Sequence, residues 1–532
     1  MRAALLIVFA AAVLGAVATA ARAAAPSTPP ETSFTGLDSS QLPGADPADV
    51  QIAAAPTSLV ELVNSAAAVF PPAGGPARQT LTLGRLFSSA AVDRSNDDTT
   101  DPRVLYDPLT RRFFGAMFDI TRTETVFGAT ATSDPTSPRT VAGFQSQGCP
   151  DQPRLGLSTT VVVLTDDLFS SCRGNGGFVG GEITVVSKQD LLNGIRPRAS
   201  HFGPSAAFEA ITPAASLAPS STAYLVSVAT TGTAIGIIRV SGATPSSLPV
   251  QTIRLARPLR NPPAAPQRGT NVPVDTGDPR VQNAFVQNGI LWLVLTDGCG
   301  TGGSRSCARV LAVDPAHPRV LLDRTLALPN GRFLFYPAIA PDSRGNLVVG
   351  FEYSSPAAFP SLAYAYMRPD GGFGAPADAV RGTAPNESGR YGDYSGAAVD
   401  PADPGRVWIA GEVGGAVGGT TLGWSTGIAA VRVPAQPPAL LGDAATRRGT
   451  SAVITARVYP EAARTTSYVE FGRTSRYGSR TRARTAPATI RAVAATFAVP
   501  RLRRGATYHF RIVATSARGT VRSHDHVVRV PR

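Results

Sequence analysis

Lysine is almost missing from this chain of 532 residues: Lys188 is the only one, and the other 49 of its 50 basic residues are arginine. With 52 glycines, 46 prolines and abundant alanine, that bias is the mark of a GC-rich bacterial coding sequence, not of a fold. Cysteine is also scarce. The four present fall as two local pairs, Cys149 with Cys172 and Cys299 with Cys307. Three connectivities exist for four cysteines, and the local one closes two short loops. No C-x-x-C spacing occurs and no histidine lies near these cysteines, so disulfides in an oxidising compartment are expected instead of a zinc site. After the first twenty residues no run of about 18 apolar residues is found, which leaves no second membrane anchor. A P-loop and an H-E-x-x-H helix are missing, and the single G-x-S-x-G string (Gly423 to Gly427) and single G-x-G-x-x-G string (Gly298 to Gly303) are not followed by helical periodicity, so no reaction class is signalled by motif. Long helical periodicity is missing as well.

What is present begins with a signal sequence. Arg2 precedes an apolar run from Ala3 to Ala20, and Ala18-Thr19-Ala20 and Ala21-Arg22-Ala23 offer cleavage sites. Residues 1–23 are therefore read as a signal peptide, and the product as secreted, extracellular or envelope-associated, with no membrane contact after cleavage. Residues 24–57, rich in Ala, Pro, Ser and Thr, read as a disordered leader. Pro434-Ala435-Gln436-Pro437-Pro438 reads as a semi-rigid linker.

Charge divides the chain. From Leu440 to Arg532 there are eighteen arginines against four acids, a formal +14, whereas the whole chain is +13, so the remainder is near −1. Export argues against a nucleic-acid partner for this basic segment. Anionic envelope polymer, extracellular glycan or another exported protein fits better.

Between leader and linker, residues 58–433, short Val/Ile/Thr/Phe runs alternate with Gly, Pro, Asp and Asn, an all-β pattern. A turn, a strand, a polar turn and a very apolar strand recur. The pattern starts at Asp101, Asp151, Ala210, Asp278, Tyr336 and Gly392, about 50 to 70 residues apart. That is the size of a four-stranded propeller blade. Six copies predict about six blades, with room for a divergent seventh in the long interval after Ala210. Residues 80–92 are expected to supply the strand that closes the ring.

The segments DPRVLYDPLTRRFF, DQPRLGLS with ITVVSKQDLLNG, and RYGDYSGAAVDPADPGRVWIAGE resemble the secreted bacterial β-propellers of the sialidase-like (BNR-type) group. The resemblance implies a fold more than a reaction. The S-x-D-x-G-x-x-W box is missing, and its nearest relative, Pro341 to Asn346, lacks the Ser and the Trp. Residues 439–532, with TTSYVEFGRTSRYG and VPRLRRGATYHFRIVATSARGT, resemble a fibronectin type III module. That resemblance implies a β-sandwich in which the Tyr508 hydroxyl bonds back to upstream backbone.

The repeats place candidate ligand-binding residues. Opening strands begin beside Asp101 and Arg103, Asp151 and Arg154, Asp278 and Arg280, Tyr336, and Arg390, Asp393 and Tyr394. The next strands end in Asp119, Asp166, Asp297, Glu352 and Glu412. Antiparallel pairing brings both sets to one edge of each sheet, and so to one face of the propeller. There the arginines would clamp a carboxylate or sulfate, and the carboxylates would hold Ca²⁺ or sugar hydroxyls. The competing reading is Asp–Arg pairing that caps turns. A non-catalytic binding role is the expectation, with a carbohydrate hydrolase or lyase at the channel mouth as the alternative; no residue is marked as catalytic. Asp93, Asn96, Asp97 and Asp98 form a second candidate Ca²⁺ loop. His524 and His526 share one face of a final strand, and His509 across from them would complete a three-imidazole site for Zn²⁺ or Cu²⁺. Trp292 and Trp408 read as core, and Trp424 as core or sugar platform.

Overall fold

The computed structural model describes residues 28–532 except 41, 43–44, 138, 173–175, 217, 230 and 416–422. The signal segment and both cleavage sites lie outside the described residues. Among the latter, no helix is long and apolar enough to cross a membrane.

Hairpins of short apolar strands cannot bury two faces alone, and here they stack side by side. Among the described residues, seven four-stranded antiparallel meanders follow one another. Their innermost strands are Gln51–Ala55, Thr99–Asp107, Cys149–Leu157, Thr212–Pro213, Val281–Gln287, Phe333–Pro341 and Gly396–Val399. Innermost strands adjoin in that order, and the seventh returns to the first, so the sheets close a ring. The protein is a β-propeller followed by a small β-sandwich.

Each gap between blades is filled by its own apolar cluster. Trp408, Trp424 and Ile428 of the seventh blade pack against Leu59, Ala68 and Phe70 of the first. Leu62 and Val60 of the first meet Phe113, Met117 and Val126 of the second. The remaining five gaps repeat the arrangement. Middle strands are thus buried on both faces, which is why they read as nearly unbroken apolar runs and not as alternating ones. Trp424 is core: its indole N–H donates to the Ala45 carbonyl at 2.7 Å.

Three expectations need correction. The ring is closed by Thr32–Asp38, which pairs antiparallel with Trp424–Arg432 as the outer strand of the last blade, not by residues 80–92. The supposed leader 24–57 therefore supplies a closing strand and the innermost strand of the first blade. The extra blade lies at residues 51–82, and the long interval after Ala210 instead carries residues 255–280 along the ends of the fifth and sixth blades, tied to a later segment by Gln267 and Asn386.

The fourth blade departs from the pattern. Its innermost strand is two residues long, and Ala215–Ser216 leaves it to pair in parallel with both the third and fifth blades. Disulfides join Cys149 to Cys172 and Cys299 to Cys307.

Residues 434–438 lie against the sixth blade, where the Gln436 amide donates to the Tyr366 hydroxyl at 3.3 Å. The sandwich that follows packs Ala439–Arg448, Ser451–Tyr459 and Val493–Val499 against Thr465–Gly472, Thr507–Ser516, Gly519–Arg522 and His526–Arg529. Ile454, Val469, Phe497, Phe510 and Ile512 fill it. The Tyr508 hydroxyl accepts from the Arg503 backbone N–H at 3.2 Å.

Candidate functional site at the polar mouth of the channel

Each blade enters its innermost strand through one residue with a left-handed backbone: Asp49, Asp101, Gln152, Ala210, Gly277, Tyr336 and Gly392. Five of these are not glycine. At φ near +45° for Tyr336 and +53° for Asp101, each such residue stores roughly 1–3 kcal/mol of strain, the kind that clusters at functional sites. In the second, third and sixth blades the residue begins a β-bulge, which re-aims the neighbouring side chains. The bulges set a ring of polar groups around one end of the channel.

The floor of this mouth is buried. Arg103 donates through Nε to the Pro153 carbonyl at 3.0 Å, and its guanidinium carbon sits 3.3 Å from the centre of the Tyr394 ring. Tyr394 donates to the Pro102 carbonyl at 3.1 Å. Arg154 pairs with Asp167 at 3.3 Å and donates to Gln152 at 3.0 Å. Arg280 is held in a fork by both Asp278 oxygens and donates to the same Gln152 at 2.6 Å. Asn64 bridges Asp49 and the Asp101 backbone N–H.

Burial, with the Asp151 and Asp393 charges, raises the Asp101 carboxyl to about 7. Burial, with Asp393 and Asp101, raises Asp49 as well. Two neighbouring buried carboxyls are thus disfavoured as a doubly charged pair. Asp393, half-buried at the rim, is raised to about 6 by burial against the opposing pull of Arg280 and Arg390. Asp151 is raised by burial and by Asp167.

Of the residues expected here, Arg103, Arg154, Arg280, Arg390, Asp393 and Tyr394 do gather at one mouth, with Arg390 exposed on the rim. The strand-end acids lie at the same end but point between blades. Asp119 meets Arg94 at 3.3 Å. Asp166 accepts from Thr125 of the preceding blade at 2.8 Å. Asp297 accepts from the Arg260 N–H and from Arg309. Glu352 accepts from Ser395 and from the Glu412 N–H, both in the next blade. Glu412 accepts from Ala48, Gly392 and Asn386. Glu61, which sequence reading passed over, does the same for the first blade, taking the Leu37 N–H of the closing strand at 3.0 Å. Asp49, Asn64, Gln152 and Asp167 were also missed: Asp49, Asn64 and Asp167 have no arginine beside them in the repeat pattern, and Gln152, between Asp151 and Arg154, is uncharged.

The Asp93–Asp98 loop is tied internally. Asp93 caps Ser95, Asp97 pairs with Arg122 at 2.6 Å, and the Asp98 N–H donates to Thr121.

Below the floor the channel turns apolar. A cavity of about 40 Å³ bordered by Arg103, Arg154, Gln51 and Gln282 shares Leu105, Ala215 and Ala284 with a cavity of about 320 Å³ lined by Ile52, Leu157, Phe285, Ile339 and Ala398.

No protein-family profile matches the sequence, and no curated protein matches it. Solved structures resemble it at a distance. A Hadza microbial sialidase aligns at TM-score 0.36 and 11% identity over 71% of this chain and 73% of that one. Domains 1–2 of Drosophila semaphorin 1a align at 0.36 and 10% over 73% and 87%. A protein of unknown function from Dyadobacter fermentans aligns at 0.32 and 11% over 68% and 90%. Likeness this distant carries no functional information, and the propeller assignment rests on the strand pairing itself.

Proposed function

We propose that this is a secreted binding protein whose polar channel mouth takes a hydroxyl-rich ligand of glycan type. One observation carries the reading. The arginines of the floor are consumed internally, whereas the carboxylates of Asp151 and Asp393 form no salt bridge or hydrogen bond with the described residues. They are left to accept hydrogen bonds from a ligand, beside one exposed arginine, Arg390. This mouth offers acceptors more than a cation clamp, so sugar hydroxyls suit it better than sulfate does. The sandwich resembles a fibronectin type III module and adds a basic surface for anionic envelope polymer. The signal sequence and the two disulfides support a place outside the cell.

The test is a binding screen of the mature protein against extracellular and envelope polysaccharides. Asp151→Asn and Asp393→Asn should each weaken binding at least tenfold with an unchanged melting temperature. Unchanged binding in both would overturn the site.

A second reading, carbohydrate hydrolysis or lysis, is favoured by the buried Asp101 carboxyl, raised to about 7, beside the ionisable Asp393, raised to about 6. A carboxylic acid next to a carboxylate is the pairing that glycosidic cleavage uses. New reducing ends in bound material, lost in Asp101→Asn, would establish it.

A further inference from the structure

Outside the propeller, three metal-ligating side chains meet at one edge of the sandwich. His526 Nε2 lies 2.6 Å and His524 Nε2 3.5 Å from the same oxygen, Oδ2 of Asp443. The three donor atoms all fall within 4.8 Å of one another, and the two rings are 5.5 Å apart. Among the described residues no other trio of His, Cys, Asp or Glu converges in this way.

The backbone is shaped for the meeting. Pairing of the first sandwich strand shifts register between Leu441 and Ala444, and Gly442 takes φ +57°. The bulge turns Asp443 toward the last strand, which carries His526, while His524 reaches in from the loop before it. His509, across the sheet, is engaged elsewhere, bonding Asp525 at 2.6 Å. The third ligand is therefore a carboxylate 81 residues upstream of His524, not the third histidine that strand periodicity suggests.

We propose that Asp443, His524 and His526 bind a divalent transition metal of the zinc type. Ligands about 2.0–2.2 Å from a tetrahedral metal stand roughly 3.3–3.5 Å apart. The His524 spacing already matches, and the His526 spacing needs to open by less than about 1 Å on that same geometry. Two imidazoles with one carboxylate suit Zn²⁺, Ni²⁺ or Cu²⁺, whereas Ca²⁺ and Mg²⁺ demand oxygen shells. Asp443 and His526 are 11% and 17% exposed and anchor the site; His524, at 79%, leaves one side open to water or an outside ligand. His524 gains nothing from packing at that exposure, yet its ring is directed at a carboxylate that already serves His526. A bound metal would clasp the first strand of the sandwich to its last.

Titration calorimetry of Zn²⁺ into tag-free, full-length mature protein tests this, with Ca²⁺ as control. One Zn²⁺ per chain is expected, with no Ca²⁺ binding and a higher melting temperature in Zn²⁺. His524→Ala and Asp443→Asn should each weaken Zn²⁺ binding at least tenfold, and His509→Ala should leave it unchanged. No Zn²⁺ binding, or equal binding in His524→Ala, would overturn the proposal. The exposed His524 variant decides the matter even where Asp443→Asn lowers stability.

Discussion

Arg103 lies flat on Tyr394, and Tyr394 returns a hydrogen bond to the Pro102 carbonyl, the peptide that leads into Arg103. Cation, ring and backbone form one closed unit joining the second blade to the seventh at the channel floor. Burial lowers the affinity of the Arg103 guanidinium for its proton, yet Tyr394 and the nearby carboxylates keep it charged. Arg103→Lys keeps the charge but loses the flat stack and the Pro153 bond. It should cost about 1–2 kcal/mol, seen as a lower urea midpoint. Tyr394→Phe should cost about 1 kcal/mol by orphaning a buried carbonyl.

The only lysine is buried. Lys188 Nζ lies 2.7 Å from Asp107 and donates to the Ser158 carbonyl at 2.8 Å, joining the second and third blades. Burial alone would raise the Asp107 carboxyl, but Lys188, Thr110 and the Leu109 N–H hold it below its ordinary value. Its contribution to stability is therefore present above the unfolded value near 4 and lost as pH falls through the folded one. Lys188→Met should destabilise by about 3 kcal/mol at pH 7, because it strands a buried carboxylate. The deficit should shrink in acid, as measured by denaturation at pH 7 and pH 3.

Glu352 behaves oppositely. Burial lifts it to about 8, and burial with the Glu352 charge lifts Glu412 well above its usual range. A carboxyl that prefers its proton in the folded state favours folding most below the unfolded value near 4.3. That advantage is lost as pH rises through the folded value. The protein should lose up to about 1.4 kcal/mol per pH unit for each such group across that window. Glu352→Gln, neutral throughout, should flatten the profile between pH 5 and pH 8 in melting experiments.

The exposed arginines of the sandwich test its role as an adhesive surface. Replacing Arg501, Arg503 and Arg504 by Gln keeps the backbone N–H that Tyr508 needs. Retention on an anionic polymer should drop severalfold in low salt, and the difference should vanish above about 0.5 M salt. Equal retention at low salt would show that these arginines do not carry adhesion.

How much could be read from the sequence depended on which residues carried the signal. Blades with Val- and Leu-rich middle strands, such as 161–169 and 290–299, stood out by their apolar runs. The first blade did not. Two of its strands, QIAAA and AAAVF, are mostly alanine, and the first merges into an Ala/Pro-rich stretch that looks like a leader. Alanine suffices there because Trp408, Trp424 and Ile428 of the seventh blade fill the gap from the other side. The basic face of the mouth was legible because Asp–x–Arg recurs at blade starts. The direction of the strand-end acids was not, since a strand fixes which face a side chain takes but not whether a neighbouring blade offers it an N–H. Glu352 and Glu412 point between blades because the adjoining blade presents such donors, the Glu412 N–H to Glu352 and the Ala48 N–H to Glu412.

The last blade is built from the two ends of the propeller: Thr32–Asp38 waits for Trp424–Arg432, and Glu31 then pairs with Arg406 and Arg432. A chain is made from its N-terminus, so the first strand of the propeller to appear is the last to find its partner. Until then six finished blades stand as an open arc, with bare sheet edges and the Trp408–Trp424 surface uncovered. Closure is a contact of nearly maximal sequence separation and is slow by that fact. The dangerous moment for this protein is therefore the closing of its ring, when a second arc could supply the missing strand and link two molecules by exchange.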